Sequence, residues 1–450
     1  MKKALFFSAA VLTAALARGD KVVHAYDRDV VVREANYDVS KIGSYTLEDP
    51  LTFLDGRKVT TAEEWGRRRR EILDIFAREM YGQEPPKPET LITELQNEKV
   101  AVGGYAIRRL YKMWFKPDKS GPCINWIAWI PRFAKQPAPV ILFLNYNGNH
   151  ELVPDKDIPL MEAWCRLLGN GEFDAARSEQ MRGKLQDPNM AAIFPLATIL
   201  ARGYAVMSAC YCEVSPDAME RKQNGQTQSD FAYTGVFELW GKRDPARDDN
   251  TTSLGAWGWA LCRGMDLAER IPELDTKRSV VTGYSRLAKA ALVAAARDER
   301  FAICVPNQTG GGGCPLAKRN YGENVSTQNR AFPHWFCPAY AKYAADPAKL
   351  LTFDQHLFLA CIAPRGLLIQ GFDEKWFDTE GEFLAIKAAS PVWRQLGLEA
   401  LPEVDYPKDF DTSAIGKNIG YVRRSQGHGF SGYDWMWTLD FADRYFGIKK

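Results

Sequence analysis

The stretch RSVVTGYSRLAKAALVAAARD (residues 278–298) predicts a buried strand followed at once by a helix. Residues 279–282 are a short β-branched run, which is typical of a buried strand. Residues 286–296 are rich in Ala, Leu, Arg and Lys and contain neither Gly nor Pro, which favours a helix. Ser285 stands at the junction, so we expect its hydroxyl to lie above the edge of a sheet.

A serine between a strand end and a helix start is the arrangement of a nucleophile elbow. The backbone N–H of Arg286 would then lie at the helix N-terminus, where it can bind a developing oxyanion. The general pattern is G-x-S-x-G, and here Leu287 takes the place of the last glycine. An ordinary strand-to-helix junction with a capping serine is the alternative reading of these residues.

The rest of the chain predicts an α/β fold with a mostly parallel sheet and helices on both faces, a three-layer sandwich. The pattern indicates a helix at 61–80, which Thr61 can cap, and strands at 105–115, 124–130 and 139–145, after which helices and strands alternate. The alternating segments are the helices 194–202, 254–271, 286–296, 381–396 (with a break at Pro391) and 433–445 and the strands 204–211, 279–282, 301–305, 366–370 and 419–422. We expect an arm and helix at 18–95 packed on a catalytic domain at 96–450, with insertions near 151–193 and 213–252.

The first residues are those of a secretory signal peptide, residues 1–17. Met1-Lys2-Lys3 is basic, an apolar run follows, and Ala15-Leu16-Ala17 fits a cleavage site. The run is too short for a membrane span, although an N-terminal anchor is the alternative. We therefore expect a secreted or periplasmic protein with no membrane partner after cleavage.

Charge and composition exclude several function classes. Cleavage after residue 17 removes Lys2 and Lys3, so Lys plus Arg falls from 58 to 56 and equals the 56 Asp plus Glu. A balanced chain does not indicate a nucleic-acid partner. The five histidines are far apart and none lies at zinc spacing from the nine cysteines, so a metal site is disfavoured, and no cofactor is implied.

A serine hydrolase also needs a base and an acid. In the α/β-hydrolase fold, these residues follow the serine along the chain in the order Ser, acid, His. Three histidines follow Ser285. His334 precedes every candidate acid, and His356 precedes the apolar run 357–359 and is expected to be packed inside. His428 lies in a Gly-flanked loop after the last predicted strand, so it is the predicted base.

The candidate acids lie in one loop after the strand 366–370, and they are Asp373, Glu374 and Asp378. A charged, solvated loop would show the same pattern. Only one of the three carboxylates can orient His428, and the residues alone leave the choice open.

With these motifs the sequence resembles the glucuronoyl esterases, α/β-hydrolase carbohydrate esterases that cleave esters of 4-O-methyl-glucuronic acid between glucuronoxylan and lignin. The family elbow is G-(C/H)-S-R-x-G-K, and here it is Gly283-Tyr-Ser-Arg-Leu-Ala-Lys289. The companion motifs are Gly310-Gly-Gly-Gly313, Gly322-Glu323, Pro333-His-Trp-Phe336, Asp354-Gln-His356, Ala363-Pro-Arg365 and Gly381-Glu-Phe383. They follow the family order over roughly residues 100–447.

The resemblance implies roles for further residues. Arg286 would stabilise the oxyanion, Lys289 and Glu323 would bind sugar hydroxyls, and Trp376 would form an aromatic wall. Residues 145–150 would supply a second oxyanion N–H. The sugar-contacting glutamine of the family has no clear equivalent near Ala331, and Gln328 or Asn329 are the candidates.

The triad acid is where this sequence departs from many family members. They carry a glutamate twenty-three residues after the serine, where this chain has Gln308, which cannot hold a negative charge. Other members place the acid after the later strand, where Glu374 matches. We therefore predict the triad Ser285, His428 and Glu374.

The sequence thus predicts a monomeric, exported glucuronoyl esterase that acts through an acyl-enzyme. Its expected partner is a glucuronoxylan or lignin–carbohydrate ester. Two alternatives stay open. One is an esterase for another acylated sugar such as acetylxylan, and the other is a carbohydrate-binding protein with a decayed site, suggested by Gln308.

Overall fold

The computed structural model describes residues 32–134, 137–163, 175–217, 222–223, 226–227 and 231–449. The predicted signal peptide lies outside these residues, as do parts of both predicted insertions. Among the helices of the described residues, none is long and apolar enough to cross a bilayer.

Nine strands of the described residues form one mixed, mostly parallel sheet in the order β1-β2-β3-β5-β4-β6-β7-β8-β9. Strands β1 to β3 and the β3–β5 pair are antiparallel, and the pairs from β5 to β9 are parallel. The strands are β1 (Ile92–Ala101), β2 (Ala106–Trp114), β3 (Cys123–Pro131), β4 (Ala138–Asn145), β5 (Ala205–Cys210), β6 (Leu274–Tyr284), β7 (Ile303–Asn307), β8 (Gly366–Phe372) and β9 (Ile419–Arg424). The predicted mostly parallel sheet is confirmed.

The helices cover both faces of this sheet. They are α1 (Ala62–Glu79), α2 (Ala175–Gln180), α3 (Leu196–Ala201), α4 (Tyr211–Val214), α5 (Ser253–Ala268), α6 (Arg286–Arg297), α7 (Val325–Ala331), α8 (Pro347–Leu350), α9 (Gln355–Ala360), α10 (Thr379–Ala389), α11 (Pro391–Gln395) and α12 (Gly432–Phe446). Helices α1, α5, α6, α9, α10 and α11 pack in one apolar core, and α3 and α12 in a second.

The strand β4 shows how the two cores share the sheet. Every residue of β4 is buried. Val140, Leu142 and Leu144 belong to the first core, while Ile141 and Phe143 belong to the second, because successive side chains point to opposite faces. The three-layer α/β-hydrolase arrangement predicted from the sequence is confirmed.

Most predicted elements lie within a few residues of the observed ones. Thr61 caps α1 by accepting from the Glu64 N–H at 3.1 Å, and Pro391 separates α10 from α11, as expected. The strand β1 was not predicted. It is a largely polar edge strand whose residues are exposed or half-buried, so it lacks the alternation that marks a buried strand.

The elbow helix α6 lies unusually close to α5 at Gly258. A Cβ at Gly258 would lie 2.9 Å from Val293 Cγ1 and 3.3 Å from the Ala290 carbonyl oxygen. The absence of a side chain therefore allows α5 to hold the helix that carries the candidate nucleophile.

We expect Gly258→Ala to lower the free energy of unfolding by about 1–3 kcal/mol, because the added methyl group overpacks this contact. The matched control is Gly66→Ala on α1, where a Cβ meets nothing within 4 Å. That change should raise the free energy of unfolding by up to about 1 kcal/mol, since alanine is the better helix former. Denaturant unfolding measures both, and stabilisation by both changes would contradict the close-packing argument.

Candidate active site

Ser285 lies on a sharp turn between β6 and α6. Its backbone has φ 57° and ψ −132°, a sparsely populated conformation for a residue with a side chain. A Cβ at Gly283 would lie 2.4 Å from the Leu287 carbonyl oxygen, so only glycine fits there. The Ser285 N–H donates to the Asn307 carbonyl at 3.0 Å, which ties the turn to β7. The predicted elbow is present, with a half-buried serine at its tip.

His428 lies beside this turn, in the loop between β9 and α12. Its ring lies 5.7 Å from the ring of Tyr284, the residue before the serine, and 4.8 Å from the ring of Phe377. Arg424 is fully buried and holds this loop, since it pairs with Asp434 and donates to the Gly427 carbonyl at 2.9 Å. The structure therefore places the predicted base beside the turn that carries the predicted nucleophile.

Gln308 contacts His428 on the side away from the solvent. Its Oε1 lies 2.7 Å from His428 Nδ1 and accepts from the Gly429 N–H at 2.9 Å, and its Nε2 donates to the Gly429 carbonyl at 3.2 Å. Because a carboxamide oxygen only accepts, this bond requires a proton on Nδ1 and leaves Nε2 as the basic nitrogen. Gln308 thus reaches the histidine, as the family resemblance implied, and fixes its tautomer without a charge.

The three candidate acids lie in the loop after β8, as predicted. Asp378 is buried, caps α10 and pairs with Arg319 at 2.9 Å, while Asp373 pairs with Arg423 at 2.7 Å. Glu374 is exposed, and its carboxylate lies near enough to Tyr37 to affect that hydroxyl. Two of the three candidates are thus committed to other partners, and the role of Glu374 as triad acid stays a prediction.

Arg286 is held by a buried carboxylate that the sequence did not single out. It pairs with Asp217, which also accepts from Tyr211 Oη at 3.2 Å and Trp335 Nε1 at 2.9 Å and lies 2.7 Å from His334 Nε2. Burial would raise the pKa of Asp217, but the Arg286 charge and the donors around it outweigh burial and hold that pKa well below its usual range. Asp217 therefore stays ionised and fixes the guanidinium.

Lys289 lies one helical turn after Ser285 and pairs with Glu323. Its Nζ lies 3.1 Å from Glu323 Oε2, and both side chains are buried. Burial lowers the pKa of Lys289, and the Glu323 charge opposes that shift. The same ammonium lies 4.7 Å from the centre of the Trp335 ring, and the Arg286 guanidinium lies 4.9 Å from it. The pair joins a donor and an acceptor close to the nucleophile.

The Gly-rich loop and the N-terminal arm shape the pocket around Glu323. A Cβ at Gly310 would lie 2.4 Å from Glu323 Oε2, so the loop must contain glycine there. Trp376 is half-buried, and its carbonyl accepts from the Glu323 N–H at 2.9 Å. Burial, followed by the charges of Glu374 and Glu323, raises the pKa of Tyr37 to about 12. Trp376 and the arm residue Tyr37 therefore both adjoin the predicted sugar site.

The two candidates for the missing glutamine differ in position. Gln328 is buried and donates to the Glu323 carbonyl at 2.9 Å. Asn329 donates to Val325 within its own helix. The structure therefore brings Gln328 into contact with the Glu323 loop.

The loop after β4 is the segment predicted to supply the second oxyanion N–H. Three of its backbone N–H groups already donate to side chains. The N–H groups of Tyr146 and Asn147 donate to Glu151 at 2.9 and 3.1 Å, and that of Gly148 donates to Asn145 at 3.0 Å. These three N–H groups are therefore already bonded, and a second oxyanion N–H from elsewhere in residues 145–150 stays a prediction.

The other two histidines that follow Ser285 have structural partners. His356 is buried, with Nε2 2.7 Å from the Glu48 carbonyl, and burial lowers its pKa to about 4. His334 belongs to the Asp217 cluster. The described residues contain no group of three or more His, Cys, Asp or Glu side chains that could hold a metal ion.

Sequence reasoning missed Asp217, and it singled out Tyr146 only as part of a segment of backbone donors. Asp217 follows α4 in an insertion, where nothing in the sequence marked it, whereas Tyr146 is the first residue after β4, where the strand end is the signal. Tyr146 donates from its hydroxyl to the Tyr284 carbonyl at 2.8 Å, next to Ser285. The position of Tyr146 just after a parallel strand was visible in the sequence, but the partner of its hydroxyl was not.

Comparisons of the whole chain with known proteins find carbohydrate esterases. The profile of a family described as "Glucuronyl esterase, fungi" matches residues 178–397. The chain is 35% identical over 419 residues to the carbohydrate esterase MZ0003 of an unknown prokaryotic organism, covering 92% of each chain. Two solved structures are each 33% identical to this chain, and each match covers 91% of this chain and 100% of the other. One is a glucuronoyl esterase from Solibacter usitatus, with a TM-score of 0.81. The other is an esterase from a marine bacterial metagenome, described as a promiscuous CE15 esterase, with a TM-score of 0.80.

We expect Gln308→Glu to move the acid limb of the kcat/KM profile to higher pH. A carboxylate beside Nδ1 stabilises the imidazolium, so the base stays protonated, and inactive, up to a higher pH. The same change removes the donor to the Gly429 carbonyl and should lower the free energy of unfolding by about 1 kcal/mol.

The control for that experiment is Gln308→Leu, which removes both the orienting bond and any charge. It should lower kcat without moving the acid limb upward. An unchanged pH profile in Gln308→Glu would contradict the direct contact between residue 308 and the base.

Proposed function

This chain belongs to the glucuronoyl esterase family of carbohydrate esterases, carbohydrate esterase family 15, and is therefore a carboxylic ester hydrolase; we propose that its substrates are esters of glucuronic or 4-O-methyl-glucuronic acid, such as those joining glucuronoxylan to lignin.

One observation carries this proposal. The buried Lys289–Glu323 pair lies one helical turn from Ser285, with the Trp335 ring against Lys289 and the Trp376 loop bonded to the backbone of Glu323. A donor and an acceptor at that distance suit the hydroxyls of a sugar whose carboxyl carbon stands over the serine. A simple acyl group would have no use for them.

The proposed reaction has two halves. Ser285 Oγ attacks the ester carbonyl while His428 Nε2 takes its proton, and the collapse of the intermediate passes that proton to the leaving alcohol. Water then repeats the sequence and releases the uronate. Gln308 orients the imidazole, and Glu374 is proposed to stabilise its positive charge.

Arg286 is proposed to stabilise the oxyanion with its backbone N–H and its guanidinium. A fixed charge in a water-poor site is worth more than in water, provided that it does not move during the reaction. The buried pair with Asp217 supplies that rigidity. We also propose that the enzyme is exported and acts as a monomer; the basic and apolar residues 1–17 support export.

A second candidate is broader ester hydrolysis, including acetylated sugars. The related metagenomic esterase is described as promiscuous, and Gln308 and Ala288 depart from the usual family residues. Benzyl glucuronate and an acetyl ester, assayed side by side, decide between the two candidates.

We expect Ser285→Ala to lower turnover of benzyl glucuronate by at least about 10⁴-fold, because the nucleophile is removed. Thermal unfolding should be unchanged, since the half-buried side chain contributes little to packing. Turnover well above the uncatalysed rate would reject Ser285 as the nucleophile.

Lys289→Ala and Glu323→Ala should each lower kcat/KM for benzyl glucuronate about 10- to 150-fold, the range expected for a lost hydrogen bond to a charged group. Hydrolysis of an aryl acetate, which lacks the sugar hydroxyls, should fall much less. Equal losses on both substrates would remove the sugar-binding role.

A matched control is needed because each single change leaves a buried charge unpaired, which destabilises by about 3–5 kcal/mol. The double variant Lys289→Met, Glu323→Gln leaves no buried charge unpaired, so its free energy of unfolding should fall less. Its selective loss of uronate ester hydrolysis should persist.

Glu374→Ala should damage turnover far more than Asp373→Ala, because Asp373 is already paired with Arg423. Gln308→Glu should partly rescue Glu374→Ala by returning a carboxylate to the imidazole. Near-normal kcat in Glu374→Ala would end its assignment as the acid.

A further inference from the structure

We propose that the hydroxyl of Tyr146 is a second oxyanion donor of this active site. Tyr146 is the first residue after β4, in the loop from which this fold draws a second donor N–H. In this chain the side chain of that residue, and not its backbone, faces the nucleophile. The inference rests on Ser285 being the nucleophile but not on the uronate substrate.

The backbone of Tyr146 is committed elsewhere. Its N–H donates to the buried Glu151 carboxylate, which also takes the N–H and the side-chain amide of Asn147, at 3.1 and 2.6 Å. The Tyr146 carbonyl accepts from the Cys210 thiol at 3.6 Å. These contacts occupy the backbone N–H and carbonyl of Tyr146, so it is the side chain of this residue that is available at the elbow.

The hydroxyl lies at the elbow itself. It donates to the carbonyl of Tyr284 at 2.8 Å, which is the peptide group joining Tyr284 to Ser285. The ring is held between Tyr211 and Tyr284, with ring centres 5.4 and 4.8 Å away. A phenol so placed has little freedom to move, which is the requirement for a preorganised donor.

The charge around the hydroxyl favours this role. Burial raises the pKa of Tyr146, so the phenol keeps its proton, while the nearby Arg286 charge and the Ser285 side chain act in the opposite direction. The hydroxyl therefore stands next to the serine and the arginine whose positions define where the oxyanion forms. A hydroxyl hydrogen rotates freely, so the proton can turn from the Tyr284 carbonyl to a new acceptor.

The phenol does not transfer its proton when Ser285 attacks the ester. As the bond between Ser285 Oγ and the carbonyl carbon forms, the π pair moves onto the carbonyl oxygen. Tyr146 O–H then donates a hydrogen bond to that oxygen and keeps its proton. When the C=O bond re-forms and the alcohol leaves, the O–H returns to the Tyr284 carbonyl.

The test is Tyr146→Phe, which keeps the ring and removes only the donor. We expect kcat to fall about 100-fold on both 4-nitrophenyl acetate and benzyl glucuronate, with KM almost unchanged, because the hydroxyl acts on the transition state. The matched control is Tyr204→Phe, which deletes a hydroxyl that donates to Asp443 at 2.7 Å. Tyr204 immediately precedes β5 and therefore lies at the end of that strand opposite to the active site. That variant should keep wild-type kcat.

A binding measurement separates a donor from a structural residue. Phenylboronic acid adds to a serine hydroxyl as a tetrahedral anion, whereas glucuronate binds as product. Tyr146→Phe should weaken phenylboronate binding by about the factor lost from kcat and leave glucuronate binding unchanged. The comparison of the two ligands stays valid even if the variant is somewhat less stable.

Three results would overturn the proposal: wild-type kcat in Tyr146→Phe, a higher kcat, which would mean that the phenol obstructs the site, or equal weakening of both ligands. A wild-type enzyme that hydrolyses the acetate but not benzyl glucuronate would reject the uronate substrate and leave the Tyr146 result intact.

Discussion

Two cations on the first turn of one helix impose the constraint on which this structure depends. Arg286 and Lys289 lie at the N-terminus of α6, where the helix dipole disfavours positive charge, and the Lys289 side chain is almost fully buried. Each cation therefore needs an anion from elsewhere. Asp217 comes from the insertion after β5, and Glu323 comes from the loop after β7.

These two pairs explain why distant segments meet at the elbow. Trp335 lies against both cations and donates to Asp217, so the motif at 333–336 completes the same cluster. The Gly-rich loop must contain glycine because the Glu323 carboxylate lies against Gly310. Removing Asp217 or Glu323 would leave the neighbouring cation without its partner, and an unpaired buried charge costs several kcal/mol.

The catalytic edge also concentrates backbone strain. Ser285, Gln308 and Asp378 all have positive φ without being glycine, and they stand at the ends of β6, β7 and shortly after β8. Such conformations persist only where the surroundings over-determine them. Here Gln308 is held by bonds to Gln370, His428 and Gly429. An amide at this position fixes the imidazole tautomer, so orientation and charge stabilisation can come from different residues.

The local pattern of the sequence was enough to predict the elbow, the parallel units, the cap at Thr61 and the break at Pro391. Each depends on neighbours within a few residues, through β-branched runs, capping hydroxyls and proline geometry. The predicted helix over 286–296 also puts Lys289 one turn after Ser285, because helical periodicity is local. It missed β1, since a polar edge strand carries no periodic signal.

Only the tertiary structure decided the partners. Asp217 and Arg286 are 69 residues apart, and Gln308 and His428 are 120 apart. No periodicity links such positions. The use of the Tyr146 side chain in place of its amide depends on Glu151, a buried carboxylate that takes two backbone N–H groups of the loop. Sequence determines which side chains reach the edge of the sheet, but the competition among buried donors and acceptors, which must all be satisfied at once, decides what each one does there.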